Sequence, residues 1–559
     1  MYDPDLSASE KMSRLPIGHE NTKTRSRVQV SFKAFAAHCF HIATFYQPSL
    51  ACVAIACLFA TTALAADDWP MWGHDASRNM VSPEKGLPTA IDPGKPKDDG
   101  SVDPSSVSKN VKWVSKLGSQ SYGNPTVSGG KVFVGTNNGW PHYREDLTGD
   151  YGVLLAVDQN TGKRLWTLFS PKLAAGKVSD WEQVGLACSP TVDGDRVYVV
   201  TNRCEVLCLD VNGLKTENKG PFKDEAQYIA GPEGSPVTVG PGDADIIWRY
   251  DMRDELGIFP HNMTSSSVLV AGGKLFVTTS NAADWTEKHI PNPDAPALIC
   301  LDKTTGKLLG QERSGICKRM FLSNWSSPAY GVVAGKPMVV FGGGDGFCYG
   351  FDPEPVAAPD GAGTLREIWR CDCNPASRRI KDGKPRKHSD SDGPSEIIST
   401  PVVYQNKVYV AIGRDPENGD GVGAFTCIDA TQSGDITTTG KVWVNEKIGR
   451  SLSTASIADG LLYLADFPGI VYCLDLDTGK PYWTHDTESH IWGSTLLGDG
   501  KIYIGNENGT LTILAAGKEK KLIGSIDFKD PIYATPVTAD GVFYVATGTN
   551  LYAVQGDSH

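Results

Sequence analysis

One pattern recurs along this chain: a small residue, a free position, Asp, two more positions, Thr-Gly-Lys, two further positions and Trp. Its clearest copies are Ala156-Val-Asp-Gln-Asn-Thr-Gly-Lys-Arg-Leu-Trp166 and Cys473-Leu-Asp-Leu-Asp-Thr-Gly-Lys-Pro-Tyr-Trp483. A unit this small cannot bury its own apolar face. Repeated copies must therefore stack on one another to make a core.

A short strand opens each unit, and counting these openings sets the architecture. They begin at Asn124, Ser189, Ser266, Ser327, Thr400, Thr454, Ser494 and Thr535, and five of the eight place Pro next. Each leads through a Gly, Asp or Asn turn into a β-branched or aromatic run such as Lys131-Val-Phe-Val or Lys501-Ile-Tyr-Ile. Such turns between period-2 apolar runs predict hairpins. The last three openings lie roughly 40 residues apart, the length of a four-stranded propeller blade. Earlier units are lengthened by insertions.

The final unit stops after Leu551-Tyr-Ala-Val and lacks a Trp-bearing fourth strand, whereas Val111-Lys-Trp113-Val stands alone before the first opening. Pairing the two would close a ring and remove its exposed edges. The expected fold is all-β: an eight-bladed β-propeller of four-stranded antiparallel blades, closed by pairing N- and C-terminal strands. Closed repeats run long as one domain, so residues 111–559 are read as the propeller despite their number.

The units resemble the pyrroloquinoline-quinone (PQQ) repeats of quinoprotein alcohol dehydrogenase-like propellers, over roughly Val111 to Val554. The resemblance implies that the blade-end Trp docks between neighbouring blades, a role it gives to Trp113, Trp166, Trp248, Trp369, Trp443 and Trp483. The third and seventh units, with Lys307-Leu-Leu-Gly and Lys521-Leu-Ile-Gly, lack that Trp.

Residues 1–65 read as an export signal region, with basic Lys23, Arg25, Arg27 and Lys33, an apolar stretch over about 49–65, and Ala63-Leu-Ala65 as a cleavage site. Residues 66–110 are a lead-in segment. The expectation is a soluble exported protein, periplasmic or secreted, with no integral membrane segment after cleavage. Residues 66–559 carry 47 Lys/Arg against 61 Asp/Glu, a net charge of −14. Such an acidic chain repels phosphate backbones, which excludes nucleic acid as a partner.

Cys208, Cys300, Cys427 and Cys473 each stand two residues before the repeat Asp, where small side chains are needed. They read as buried free thiols. Cys188, Cys204, Cys317, Cys348, Cys371 and Cys373 are left as candidates for bridging. The Cys371-Asp-Cys373 spacing is too short for a zinc knuckle, and no metal site is expected. Gly342–Gly346 falls on a hairpin turn with no Lys-Ser/Thr behind it, and the acidic run Asp415–Gly421 reads as a solvated hairpin rather than a calcium loop. Asp284, Trp285, Lys288 and His289 lie in an insertion and match no catalytic signature.

Propeller ligands bind at the channel mouth, where the residues just before each innermost strand converge. Here those residues are polar and aromatic: Tyr122 and Asn124, Glu182, His261 and Asn262, Asn324 and Trp325, Glu396, Arg450, His490 and Trp492, and Asp530 and Tyr533. Arg450, His490, Trp492, Asn324, Trp325, His261 and Glu182 are the expected cofactor-binding residues. Trp could stack on a planar quinone, Arg pair its carboxylates, and Asn or Glu take a cation.

The resemblance implies PQQ with Ca²⁺, but this chain has no Cys-Cys dipeptide, which the quinoprotein dehydrogenases carry as a strained ring near the cofactor. Catalytic residues stay unassigned. Three readings remain open: an exported propeller binding a small molecule or protein at its channel mouth without redox chemistry, a PQQ-dependent alcohol or sugar dehydrogenase, and an envelope protein-assembly scaffold.

Overall fold

In the computed structural model the described residues are 68–140, 142–173, 179–215, 217–359, 361–418 and 423–556. The expected signal region lies outside them. The eight openings become short inner strands, each the first of an antiparallel sheet that steps outward strand by strand. The first blade shows the plan: Thr126–Ser128, Lys131–Asn137, Tyr151–Asp158 and Arg164–Pro171 pair in chain order. Its inward run Val132, Phe133 and Val134 is fully buried.

The eighth blade closes the ring as expected. Val111–Lys116 pairs antiparallel with Asn550–Gln555, in a register that sets Val111 opposite Val554 and Lys116 opposite Asn550. Three blades depart from the four-stranded plan, the seventh through the parallel strand Val81–Ser82 beside its inner strand. Gly363–Leu365 adds a parallel fifth strand outside the third blade, and Gly434–Asp435 does the same outside the fourth.

The repeat residues now have physical reasons. In the Asp-x-x-Thr-Gly turn, the Asp158 carboxylate accepts hydrogen bonds from the N–H groups of Asn160 and Thr161 and from the Thr161 hydroxyl. Asp302 and Asp475 hold their own turns in the same way. This is Asx-turn chemistry, in which a short acceptor side chain replaces backbone pairing. The Trp of one blade then reaches the turn of the next. Its indole N–H donates to a backbone carbonyl there: Trp113 to Gln159, Trp166 to Val211, Trp248 to Lys303, Trp443 to Leu476 and Trp483 to Gly517. Trp369 differs, since its indole N–H meets the Met338 sulfur in its own blade.

The small polar residue that opens each unit also acts between blades. The N–H of Ser189 donates to the Ser267 hydroxyl, and that of Ser267 to the Ser327 hydroxyl. On the other side of the ring Thr454 donates to Ser494, Ser494 to Thr535, and Thr535 to the Asn124 side chain. These bonds make two arcs beside the channel, from Ser189 to Ser327 and from Thr454 to Asn124, which explains why Ser, Thr or Asn recurs there.

Residues 69–84, for which the sequence suggested no role, seal the channel at the hairpin ends of the inner strands. They touch the blades one after another. Trp69 pairs both ways with Val127 in the first blade, and Pro70 accepts from Val192 in the second. Arg78 donates to the Ser267 and Val268 carbonyls of the third and to the Pro328 carbonyl leading into the fourth. Ala76 and Ser77 accept from Tyr330 and Val403 of the fourth and fifth blades. The Asn79 side chain brackets Ile457 in the sixth, and Val81–Ser82 pairs in parallel with Leu497 and Gly498 of the seventh. Ser82 and Glu84 reach Thr538 and Gly541 of the eighth. Burial pushes the Arg78 guanidinium down to about 9, with nearby Asp75 opposing the shift, so it is still charged at neutral pH. Four carbonyls receive it, Trp72 being the remaining one.

The ten described cysteines are all buried and free. The six candidates for bridging therefore behave like the four repeat thiols. Burial pushes the thiols of Cys473 and Cys427 up to about 11 and that of Cys317 up to about 12, so they are inert as nucleophiles near neutral pH.

Candidate functional site

With the far end sealed, the channel becomes a blind cavity of about 400 Å³. Trp72, supplied by the sealing segment, joins its lining, and the opening residues Asn124, Ser189, Ser327 and Thr400 contribute to its wall with Ser267. Of the residues expected at the mouth, Tyr122, Glu182, Asn262, Trp325, Trp492 and Tyr533 also line it.

Aromatic rings dominate one side. Tyr122 and Tyr533 stack with centroids 4.6 Å apart, and Trp492 meets them at 5.8 and 5.7 Å. Trp181 and Trp325 supply further indole surface to the lining. Tyr122 and Trp492 come from different blades, so this patch exists only because the ring is closed.

The remaining expected residues sit behind the wall. Asn324 is fully buried, accepts from the Gly344 N–H and donates to the Asn281 carbonyl. His261 is buried with Nδ1 2.8 Å from the Ala283 carbonyl. Asp530 is taken up by the hydroxyls of Thr547 and Thr549. Glu396 bonds to His388 and accepts from the Asp415 N–H.

Arg450, His490 and Trp492 do come together, around a residue the sequence reading passed over. The Phe467 ring has the Arg450 guanidinium 5.7 Å from its centroid, the His490 ring stacked at 4.4 Å, and Trp492 edge-on at 5.5 Å. Arg450 is 1% exposed and donates to the Asp415 carbonyl. Only Trp492 of the three lines the cavity.

The lining also holds residues that were not anticipated, among them Trp72, Trp181 and Asp415. Asp415 was expected in a solvated hairpin. Instead it is 5% exposed, accepts from the N–H of Glu417 and the Asn262 amide, and lines the cavity beside Glu417. Burial pushes its carboxyl up to about 6, reinforced by Glu396, Glu417 and Glu287. The sequence signal was its place three residues beyond the apolar strand Lys407–Ile412, nearer the strand end than the loop tip.

Glu182, Asp415 and Glu417 give the lining three carboxyl groups, and it contains no Lys, Arg or His. Two donors of lining residues, the Ser189 hydroxyl and the Trp72 indole N–H, are buried beneath the cavity surface and have no hydrogen-bond partner among the described residues.

A family model described as "Outer membrane protein assembly factor BamB", built on PQQ repeats, matches residues 105–213, 356–485 and 469–557. No curated protein sequence matches the chain. Among solved structures, BamB from Moraxella catarrhalis is similar at 14% identity and a TM-score of 0.45, covering 80% of this chain and 98% of its own. Quinohemoprotein alcohol dehydrogenase from Comamonas testosteroni is similar at 15% identity and a TM-score of 0.44, covering 88% and 81%. A europium-containing methanol dehydrogenase is similar at 11% identity and a TM-score of 0.43, covering 86% and 90%. The repeat matches span more than half of the 559 residues, on a ring whose turns and blade-end Trp contacts follow the repeat, and the chain belongs to the PQQ-repeat β-propeller family.

Proposed function

We propose that this protein is an exported propeller that binds a small molecule in the blind mouth of its channel, without redox chemistry. The observation that carries this reading is that residues 69–84 bond to the inner strands of successive blades and bring Trp72 into the lining of the cavity. A cavity of about 400 Å³ with an aromatic wall and a few convergent polar groups has the size and chemistry of a ligand pocket. Among the described residues, no helix is long and apolar enough to cross a membrane.

The fold family implies PQQ with Ca²⁺, and the lining residues do not fit that pair. A polyanionic quinone needs cations opposite its carboxylates, yet the lining offers carboxyl groups and no basic side chain. Arg450, the residue expected to pair with it, is buried behind the wall. Among the described residues no three His, Cys, Asp or Glu side chains are grouped to hold a metal ion. No catalytic step is therefore derived through the cofactor.

The test is binding of a panel of neutral polyols, amines, organic acids and PQQ with Ca²⁺, followed by calorimetry and thermal shift. The reading expects saturable binding by at least one class, lost in Trp492→Ala. Absence of saturable binding across the panel would overturn it, as would dye reduction that depends on added PQQ.

A further inference from the structure

Resting on that reading of the cavity, we infer that its ligand is a small organic cation, such as a quaternary ammonium or protonated amine. Two features of the wall converge on this chemistry. The first is the aromatic patch of Tyr122, Tyr533 and Trp492, whose centroids lie 4.6 to 5.8 Å apart. Faces of Trp and Tyr carry negative charge density and attract cations, most strongly where water is excluded.

The second feature is the sign of the charge. Glu182, Asp415 and Glu417 line the cavity with no basic side chain among the lining residues. The guanidinium of Arg450, behind the wall, is directed to the Asp415 backbone carbonyl and to Phe467. A cleft whose lining bears one sign of charge focuses that field on its interior. An organic cation gains from it, and an anion is repelled.

Choline is the probe, because it is a small quaternary ammonium, and 3,3-dimethylbutan-1-ol is its neutral isostere. Calorimetry on the full chain is expected to show choline binding about tenfold more tightly than the isostere, a difference within the range of cation–aromatic attraction. Asp415→Asn and Trp492→Phe should each weaken choline several-fold while leaving the ligand-free melting temperature nearly unchanged, and Glu417→Gln offers a second charge variant should Asp415→Asn fail to fold. Equal binding of the isostere, tighter binding of PQQ, or no choline binding would each overturn the cation assignment. In those cases the blind-pocket reading still stands if any neutral or anionic probe binds saturably and depends on Trp492.

Discussion

The indole of Trp113 covers Gly162, a residue of the first blade met by a strand that completes the eighth. Gly162 sits at a φ of +67°, and a Cβ there would lie 2.6 Å from the Trp113 ring. The Thr-Gly step of the repeat therefore meets two demands, a left-handed backbone and a flat surface for the incoming ring. Gly306 and Gly479 stand in the same relation to Trp248 and Trp443.

This contact should be measurable as coupling. Gly162→Ala is expected to destabilise by about 2 kcal/mol or more through backbone strain and displacement of the ring. Trp166→Ala and Trp483→Ala, which remove buried indoles of the same kind, should each cost about 3–5 kcal/mol. A cycle combining Trp113→Ala with Gly162→Ala should be clearly non-additive in urea unfolding, since the ring that the new methyl opposes is gone. Trp140→Ala is the control: this indole is 62% exposed, and its loss should leave the unfolding midpoint nearly unmoved.

The sealing segment should behave as part of the folded ring. Arg78 is fully buried, and its guanidinium donates to the carbonyls of Trp72, Ser267, Val268 and Pro328. Arg78→Ala leaves those acceptors buried without their donor, so a loss of about 3 kcal/mol or more is expected. Hydrogen exchange checks the location. Protection should fall first at Val127, Val192, Val403 and Leu497, whose N–H groups bond to residues 69–80.

Glu312 should make stability depend on pH. Its carboxyl is 3% exposed, accepts from the N–H groups of Ala297 and Ser314, and is pushed up to about 7 by burial, with Asp345 adding and Arg319 opposing. Between the ordinary glutamate value and about 7 the folded chain keeps a proton that the unfolded chain has lost. Stability from this group is therefore full at acid pH, declines as pH rises through that window, and is level above it, a change of about 3 kcal/mol in all. Comparing melting temperatures at pH 5 and pH 8 checks this, with Glu312→Gln expected to flatten the difference.

What the sequence determined by itself is the ring. Repeat spacing, hairpin runs and the orphan Trp113 strand specify blade number, strand order and closure, because each is set by contacts inside one unit or between consecutive units. The aromatic members of the mouth, Tyr122, Trp325, Trp492 and Tyr533, were legible for the same reason, since they directly precede inner strands.

Only the tertiary structure decided which mouth residues face the cavity. Asn324 stands beside Trp325, yet its amide is taken up by Asn281 and Gly344 while the indole lines the wall. A step of one residue at a strand entrance turns a side chain from channel to inter-blade packing, and periodicity does not record where that step falls. The seal was equally hidden. Residues 69–84 carry no repeat and little alternation, and their conformation is set by backbone groups on eight blades that are far apart in sequence. Asp415 and Trp72 join one cavity only after the ring has closed around that segment.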